Sequence, residues 1–361
     1  MQIIPSLALA GGAEKFVIDL SIALKSLGHD VLILVLYNDE VNFFQDEIDS
    51  NKINIIHLNR KKGLDISNSF ALRMEILKYK PDVVHSHLRT HLSMRLSGLW
   101  NKRTGIKYVH TIHSVPTREC PKPILFYIMK PLYQKHIVEP IGITSSLATE
   151  TKTYYHLNYL PCSIYNGIFV EKFISSISYE KRTINFISVA SFQANKNQIS
   201  IVQAAIILQK KGYKFIVTFL GGGVEFENVK QYAAEHNALD YIVFEGQVKN
   251  VMSYLSNSRC LLIPSYVEGN PISILEAMAA GLVVIATMNG GPKDVIEEGV
   301  NGYLVNPFSV DELALKMEKT LLDDMKMKKI SIKNIETVQK YDILAVANEY
   351  LLHYKKTSRI V

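Results

Sequence analysis

Cysteine is scarce in this sequence, and its three cysteines, Cys120, Cys162 and Cys260, are odd in number and far apart. Their spacing excludes both a disulfide framework and a CxxC motif of the zinc-binding or redox type. We interpret all three as small buried residues of a protein that is kept in a reducing compartment.

Long apolar runs and a leader segment are also missing. The most apolar long stretch, residues 271–287, is interrupted by Glu276 and Gly281, so no transmembrane helix is expected. The first residues lack a basic segment, and their apolar stretch runs into Gly11-Gly12, which argues against a secretion signal. We predict a cytoplasmic protein, and contact with the inner face of the membrane stays open. The first strand looks a few residues short, so the natural start codon is expected to lie upstream.

Low-complexity blocks and fixed-period repeats are absent, and neither charge sign dominates. The 361 residues are 48% hydrophobic and 20% charged, which is typical of a globular chain of two domains. The net charge of +6 is uneven: residues 1–175 hold 20 Lys/Arg and 15 Asp/Glu (+5), and the remainder holds 20 and 19 (+1). This excess indicates either an ordinary solvated surface or a face for anionic lipid or an anionic acceptor. No basic run is interleaved with aromatics, so we expect no nucleic-acid partner.

The apolar pattern predicts an α/β protein in which buried strands alternate with amphipathic helices. Both halves show this alternation, so we predict two Rossmann-like domains with a ligand cleft between them. The boundaries are expected at 1–172, 173–341 and 342–361, the last being a helix. Strands are predicted at residues 2–4, 31–36, 53–58, 83–84, 108–112, 141–144, 186–190, 215–220, 242–245, 260–263 and 283–286.

The strongest motif runs from Glu268 to Glu276, directly after a buried strand. Asn270 is a suitable N-cap and Pro271 a suitable first residue for the helix that follows. A helix N-terminus at a strand's carboxyl end favours a phosphate, because its N–H groups and dipole point outward. Two carboxylates beside such an anion must bind hydroxyls, which suits the ribose and the sugar of a sugar nucleotide. A capped amphipathic helix with two solvated carboxylates is the alternative interpretation.

Two weaker motifs also follow predicted strands. Lys196 comes after the strand that ends near Ala190, where a cation neutralises a diphosphate leaving group. From this segment alone, an ordinary exposed lysine explains it better. Gly11-Gly12 follows the first strand and allows the backbone to approach a phosphate or sugar closely, although a flexible turn explains it equally well.

The histidines and a glycine run point less clearly to a function. His85-Ser86-His87 with His91 has metal-ligand spacing, but no second ligand cluster follows, so we expect no metal. His113 ends a predicted strand and suits a hydrogen bond with a sugar hydroxyl, or else a buried structural role. Gly221-Gly222-Gly223 lacks the third glycine of a dinucleotide fingerprint, where Phe226 stands, so a dehydrogenase is disfavoured.

In this order the motifs resemble glycosyltransferase family four over almost the whole chain. The matching segments are Gly11 to Glu14, Asp82 to His87, His110 to His113, Tyr165 to Ile168, the E-x7-E pair Glu268 and Glu276, Gly290-Gly291, and Asn301 to Val305.

The resemblance implies a GT-B fold with an acceptor-side first domain, a nucleotide-sugar-binding second domain and a last helix that crosses back. It implies metal-independent transfer with retention, from a nucleotide-diphosphate sugar, most simply a UDP-sugar, to a glycan or lipid-linked acceptor of bacterial surface polysaccharide. The resemblance implies that Glu276 binds the ribose and that Glu268 and His113 bind the donor sugar. Lys196 would neutralise the diphosphate, helped by backbone N–H groups near Ile272. Gly12, beside Gly11, would approach the phosphate, and the base pocket would lie near Val248.

One departure matters for activity. The family has Gly-Arg where this chain has Ala190-Ser191, so the arginine that shares the diphosphate charge is absent while Lys196 stays in register. Losing such a charge costs about 3 kcal/mol of transition-state stabilisation. Arg89 is a weak candidate to replace the missing arginine. The missing arginine motivates one alternative, a non-catalytic nucleotide-sugar-binding partner subunit. A nucleotide-sugar epimerase of the same fold is a second alternative. Residues 122–135 mix apolar side chains with lysines, as does a helix that rests on a membrane or a plain buried helix.

Overall fold

A computed structural model describes residues 1–8, 11–37, 42–60, 66–100, 104–120, 122–269 and 271–356. The chain forms two units, one made of Met1–Ile168 with Ile343–Val361 and the other of Phe169–Asp342. The boundaries expected after residues 172 and 341 lie within a few residues of these divisions. The helix near the end of the chain belongs to the first unit.

Parallel strands form the sheet of the first unit. In the described residues it has seven strands in the order β3-β2-β1-β4-β5-β6-β7. Continuous apolar runs supply most of them, because a parallel sheet is covered by helices on both faces. Their bounds are Gln2–Ile4 (β1), Leu32–Tyr37 (β2), Asn54–Arg60 (β3), Val83–His87 (β4), Lys107–Ile112 (β5), Glu139–Gly142 (β6) and Cys162–Ser163 (β7).

Helices connect these strands and cover the sheet. Gly28 follows the first helix with φ +88°, a conformation that glycine adopts without strain, and so ends it. The last helix packs against the first. The bounds are Gly12–Ser26 (α1), Gln45–Ser50 (α2), Ile66–Tyr79 (α3), His91–Leu96 (α4), Pro116–Glu119 (α5), Pro123–Gln134 (α6), Ser145–Tyr155 (α7) and, at the end of the chain, Ile343–Lys356 (α15).

The second unit repeats this design with a six-stranded parallel sheet in the order β10-β9-β8-β11-β12-β13 over its described residues. Its strands are Ile184–Val189 (β8), Val217–Leu220 (β9), Ile242–Gly246 (β10), Ser258–Ile263 (β11), Val283–Thr287 (β12) and Tyr303–Val305 (β13). Its helices are Gln198–Lys210 (α8), Phe226–Glu235 (α9), Val251–Ser256 (α10), Ile272–Ala279 (α11), Pro292–Val295 (α12), Val310–Leu322 (α13) and Asp324–Val338 (α14).

The sequence pattern did not predict several short or polar elements, and it predicted the exposure of one cysteine wrongly. The strands β7 and β13 are too short to give a periodic signal, and α14 is rich in lysine. That helix is fixed by tertiary contacts: Ser331 Oγ donates to Gly281 O (2.6 Å) and Asn334 Nδ2 donates to Leu282 O (2.7 Å). Cys120 and Cys260 are buried as predicted, but the prediction was wrong for Cys162, which lies exposed on the edge strand β7.

Both sheets reverse their strand order beside their first strand. In the second unit the reversal lies between β8 and β11, which are hydrogen-bonded neighbours. Loops that leave the carboxyl ends of two such strands diverge and leave a crevice, which is where open α/β sheets bind ligands. The loops after β8, β11 and β12 therefore define the region in which to look for a site.

Candidate functional site

Two side chains predicted to carry chemistry meet at this reversal of the second unit. Lys196 follows β8, Glu268 follows β11, and Lys196 Nζ lies 2.7 Å from Glu268 Oε1. The lysine is about one-fifth exposed and the glutamate is buried. The strand order brings together two loops that are far apart in the chain, so an ordinary exposed lysine no longer explains Lys196.

Glu268 is held on several sides. Ser265 Oγ donates to Glu268 Oε1 at 2.6 Å, which fixes the carboxylate in the same place that Lys196 reaches. The backbone N–H of Gly291 donates to Glu268 O at 3.1 Å, and Gly290 pairs with Glu268 in a parallel bridge. Gly290 has φ +90°, and a Cβ there would lie 1.9 Å from Glu268 O. Only glycine fits this contact, which explains the Gly290-Gly291 motif in physical terms.

Helix α11 presents its N-terminus to the same loop. Pro271 occupies the N-cap position with extended backbone, and Ile272 is the first helical residue. The prediction that Pro271 is the first helical residue was therefore wrong by one position, and Asn270 lies outside the described residues. The N–H groups of Ile272 and Ser273 have no partner within the helix, because the first turn of any helix leaves its donors unpaired. Glu276 lies half-buried about one turn further along.

The loop after β8 is packed against the glycine run. Cβ atoms added at Gly221 and Gly223 would lie 2.1 Å from Ala190 O and 2.3 Å from Phe192 O, respectively. Gly221 and Gly223 thus allow two backbone loops to touch, which gives these glycines a structural role. Ser191, which lies between Ala190 and Phe192, is exposed. Val248 is half-buried in the loop after β10, two strands away from β8.

Asn197 is a residue of this region that the sequence analysis missed. It has φ +56°, and its Nδ2 donates to Pro264 O (3.1 Å) and Pro307 O (2.8 Å). One buried side chain thereby ties the loops after β11 and β13 to the start of α8. Asparagine tolerates this left-handed conformation, and that preference is the signal that marks the position.

The remaining predicted residues lie in the first unit. Gly11 is the N-cap of α1 and Gly12 its first residue, so the glycine pair does join the β1 segment to a helix, with extended rather than left-handed backbone at Gly11. Arg89 lies in the loop after β4 and its Nη2 donates to Arg118 O at 3.4 Å. His113 follows β5, and its backbone N–H donates to Glu119 Oε1 at 2.6 Å.

Hydrogen bonds orient the His113 ring through a buried relay. Gln2 Oε1 can only accept, so His87 Nε2 donates to it (2.8 Å) and His87 Nδ1 accepts from His113 Nε2–H at 3.0 Å. His113 Nδ1 is thus left as a buried acceptor that has no hydrogen-bond partner among the described residues. Burial lowers the pKa of His113 to about 4, so the ring is neutral at pH 7. Such a nitrogen can accept a hydrogen bond from one hydroxyl group.

Tyr354 of the last helix extends this relay. Gln2 donates to the Tyr354 hydroxyl, and Tyr354 Oη lies 2.7 Å from His85 Nδ1. His85 also contacts Thr111 Oγ1 through Nε2 at 2.6 Å. Both His85 and His87 therefore use their ring nitrogens in hydrogen bonds, and neither belongs to the metal-like set that their spacing suggested. No sequence motif marks Gln2 or Tyr354 as part of this relay.

Across the described residues, none of the helices combines the length and apolar character needed to cross a bilayer.

Known families match both halves of the chain. The model described as glycosyl transferases group 1 matches residues 170–337, and the model described as Glycosyltransferase Family 4 matches residues 10–172. An alpha-1,4-N-acetyl-D-galactosaminyltransferase of Campylobacter jejuni is 24% identical over 95% of this chain and 94% of its own. The Staphylococcus aureus capsular polysaccharide biosynthesis glycosyltransferase CapH is 27% identical over 67% of this chain and 68% of its own.

Solved structures agree in fold. Anabaena HepE in complex with UDP-glucose superposes with a TM-score of 0.84 over 98% of each chain, at 16% identity. The sucrose-phosphate synthase of Thermosynechococcus elongatus gives a TM-score of 0.81, again over 98% of each chain. The predicted GT-B fold of two Rossmann-like domains is confirmed.

Proposed function

Because this chain belongs to glycosyltransferase family four and has the GT-B fold, we propose that it transfers a sugar from a UDP-sugar to a glycan or lipid-linked acceptor. The proposal includes retention of the anomeric configuration, no metal at the diphosphate, and a place in bacterial surface polysaccharide synthesis. The observation that carries it is the 2.7 Å pair of Lys196 and Glu268 at the strand reversal of the second unit.

The pair explains how a diphosphate and a sugar are held in one place. Lys196 supplies a positive charge for the leaving diphosphate, and the leading N–H groups of α11 supply further donors. Glu268 is fixed by Ser265 and accepts from a sugar hydroxyl once Lys196 turns to the phosphate. Glu276 accepts from the ribose. In the absence of the donor, Lys196 and Glu268 thus neutralise each other's charge. Binding of the donor separates the two side chains.

The remaining donor contacts are proposed on the resemblance. Gly11 and Gly12 approach the phosphate, His113 Nδ1 accepts from a hydroxyl of the transferred sugar, and Val248 lines the base pocket. Relatives support the donor and the acceptor: HepE has been solved with UDP-glucose, and the Campylobacter enzyme is named for an undecaprenol-linked acceptor.

A surface of the first unit suits an acceptor carried by a membrane. Helix α4 packs against both α3 and α6, and these three helices expose large apolar side chains: Phe70 (64%), Met74 (51%), Leu96 (47%), Ile124 (60%) and Tyr127 (70%). The same helices carry four basic residues (Arg73, Lys78, Arg95, Lys130) and one acidic residue, Glu75. Apolar side chains with a net positive charge favour an anionic bilayer. Helix α6 also buries Met129, Leu132 and Tyr133, so one face packs and the other is exposed.

The rival function is a non-catalytic subunit that binds a nucleotide sugar. Ser191 favours it, since an exposed serine stands where the family has its second cation. This subunit binds the donor without turnover, whereas the enzyme releases UDP when an acceptor is present.

A thermal-shift panel with UDP, GDP, ADP, dTDP and CMP tests the donor site. A nucleotide at 100 times its Kd adds about 2.7 kcal/mol of apparent stability. We expect UDP to stabilise the wild type and Glu336→Ala, an exposed carboxylate of the same unit, but not Glu276→Ala. Stabilisation by none of the five contradicts the donor site, and equal stabilisation of Glu276→Ala contradicts its ribose role. UDP release with undecaprenyl-linked acceptors then separates the enzyme from the binding subunit. The anomeric coupling constant of the first product separates retention from inversion.

A further inference from the structure

Three buried side chains of the first unit converge on one point outside the proposed donor contacts. His91 begins α4, His110 lies in β5 and Glu119 ends α5. They are 2%, 0% and 5% exposed, respectively. One ring nitrogen of each histidine and one carboxylate oxygen all lie within 4.8 Å of one another.

The hydrogen positions of this cluster follow from Ser86. Its hydroxyl has one hydrogen, which goes to Val109 O (3.1 Å), because a carbonyl can only accept. The Ser86 oxygen must then accept from His110 Nδ1–H, 2.9 Å away. With Nδ1 as the donor, the neutral tautomer of His110 leaves a lone pair on Nε2. That lone pair faces Glu119 Oε2 at 3.3 Å.

His110 Nε2 and Glu119 Oε2 are therefore joined either by a shared proton or by a bound cation. His91 adds a third group, since its Nδ1 is buried and has no hydrogen-bond partner among the described residues. The other oxygen of Glu119 accepts from the backbone N–H groups of His113 and Ser114 at 2.6 and 3.2 Å, and these bonds orient the carboxylate. An arrangement of lone pairs around a carboxylate is completed by a cation.

We propose that His91, His110 and Glu119 bind one zinc ion. Two imidazoles and one carboxylate are ligands of the kind that zinc prefers, whereas magnesium and calcium prefer all-oxygen sets. Neighbouring ligands of tetrahedral zinc lie about 3.4 Å apart, so no edge of the cluster contracts by more than about 1.4 Å on binding. Ser86 behind His110 Nδ1 and the two N–H groups behind Glu119 Oε1 are the outer hydrogen bonds that orient metal ligands.

The proposed zinc site does not rest on the proposed transferase activity, and its occupancy is measured without turnover. It joins α4, β5 and α5, and through Glu119 it fixes the backbone of His113. His85 and His87 do not take part, because their ring nitrogens already bond to Thr111, Tyr354, Gln2 and His113. The site was invisible in the sequence because its third ligand, Glu119, lies far from the His85–His91 segment.

Zinc binding to the full chain tests the proposal directly. Protein stripped with a chelator is titrated with Zn²⁺ against a colorimetric competitor, and Tm is followed in parallel. We expect one ion per chain and a higher Tm. Glu119→Gln should weaken binding more than about 100-fold, since changes in outer hydrogen bonds alone commonly cost about 10- to 100-fold. His91→Ala should do the same. The control is His136→Ala, which removes a surface His–Glu pair (2.8 Å to Glu139) of the kind that takes up adventitious zinc.

Cobalt keeps the test decisive if a variant fails to fold. Co²⁺ bound to the wild type should give the intense visible bands of a tetrahedral site, and Zn²⁺ should displace them. If the wild type takes up no stoichiometric Zn²⁺, or if His136→Ala alone removes the binding, the proposal is overturned. A shared proton then lies between His110 Nε2 and Glu119 Oε2.

Discussion

Lys196 and Glu268 form a 2.7 Å ion pair between side chains 72 residues apart in the chain. Their loops leave adjacent parallel strands, β8 and β11, at the point where the strand order reverses. Neither side chain has its proposed role without the other, because Glu268 places the lysine and the lysine compensates the buried carboxylate.

Lys196→Met should lower kcat at least about 100-fold, because a cation on the leaving group acts mainly in the transition state. UDP release measures this. The control is Lys211→Met, which removes a surface lysine paired with Glu318 at 2.8 Å in the same unit and should leave kcat unchanged. Restoring the family's cation with Ser191→Arg should raise kcat/KM about tenfold or more. An inactive wild type that gains turnover only in Ser191→Arg would favour the binding subunit.

Gly290→Ala should destabilise the protein by about 3 kcal/mol, since left-handed backbone costs alanine about 1–2 kcal/mol and overpacking adds a similar amount. The added Cβ would lie 1.9 Å from Glu268 O. Gly212→Ala is the matched control: its φ of +85° is similar, but nothing lies within 4 Å of the Cβ, so it should cost only about 1 kcal/mol. Urea unfolding gives both values. Equal costs would mean that the contact between Gly290 and Glu268 is looser than described.

Stability should fall as the pH drops below about 6.5, the ordinary histidine pKa. Burial lowers the pKa of His91 and His110 to about 3 and that of His113 to about 4. The unfolded chain therefore binds protons that the native state does not bind. The free energy of unfolding falls by about 1.4 kcal/mol per pH unit for each histidine. Glu119 opposes part of this, because burial raises its pKa.

Urea midpoints between pH 7.5 and 4.5, measured with a chelator present, test this dependence. His91→Asn should show a shallower slope than the wild type, and His136→Ala, which changes an exposed histidine, should keep the full slope. A wild-type midpoint that stays constant down to pH 4.5 would show that the buried rings take up protons in the native state.

Tyr127→Glu with Ile124→Glu should abolish co-sedimentation with vesicles rich in phosphatidylglycerol, because both side chains are more than half exposed on α6, one of the three helices that together carry a net positive charge. Met325→Glu is the control: this side chain is 80% exposed in the second unit, and its change should not affect binding. Wild-type protein that stays in the supernatant at low salt would remove the membrane contact from the proposed function.

Local patterns predicted the fold class well. Continuous apolar runs such as residues 283–286 and the glycine after α1 depend on neighbours in sequence, and both gave correct elements. The short edge strand β13 escaped, because three residues carry no periodicity. The equally short β1 was predicted because a glycine pair and a helical pattern follow it. Helix α14 escaped because its place depends on hydrogen bonds with Gly281 and Leu282, about 50 residues earlier.

The sequence by itself determined the alternation of strands and helices, and with it the positions at which Lys196, Glu268 and His113 leave their strands. Only the tertiary structure decided which of these positions meet. Strand order placed Lys196 beside Glu268, and it brought His91, His110 and Glu119 to one buried point. The physical reason is that side-chain periodicity is a local property, whereas the pairing of parallel strands joins segments of any separation, and sites at sheet edges depend on that pairing.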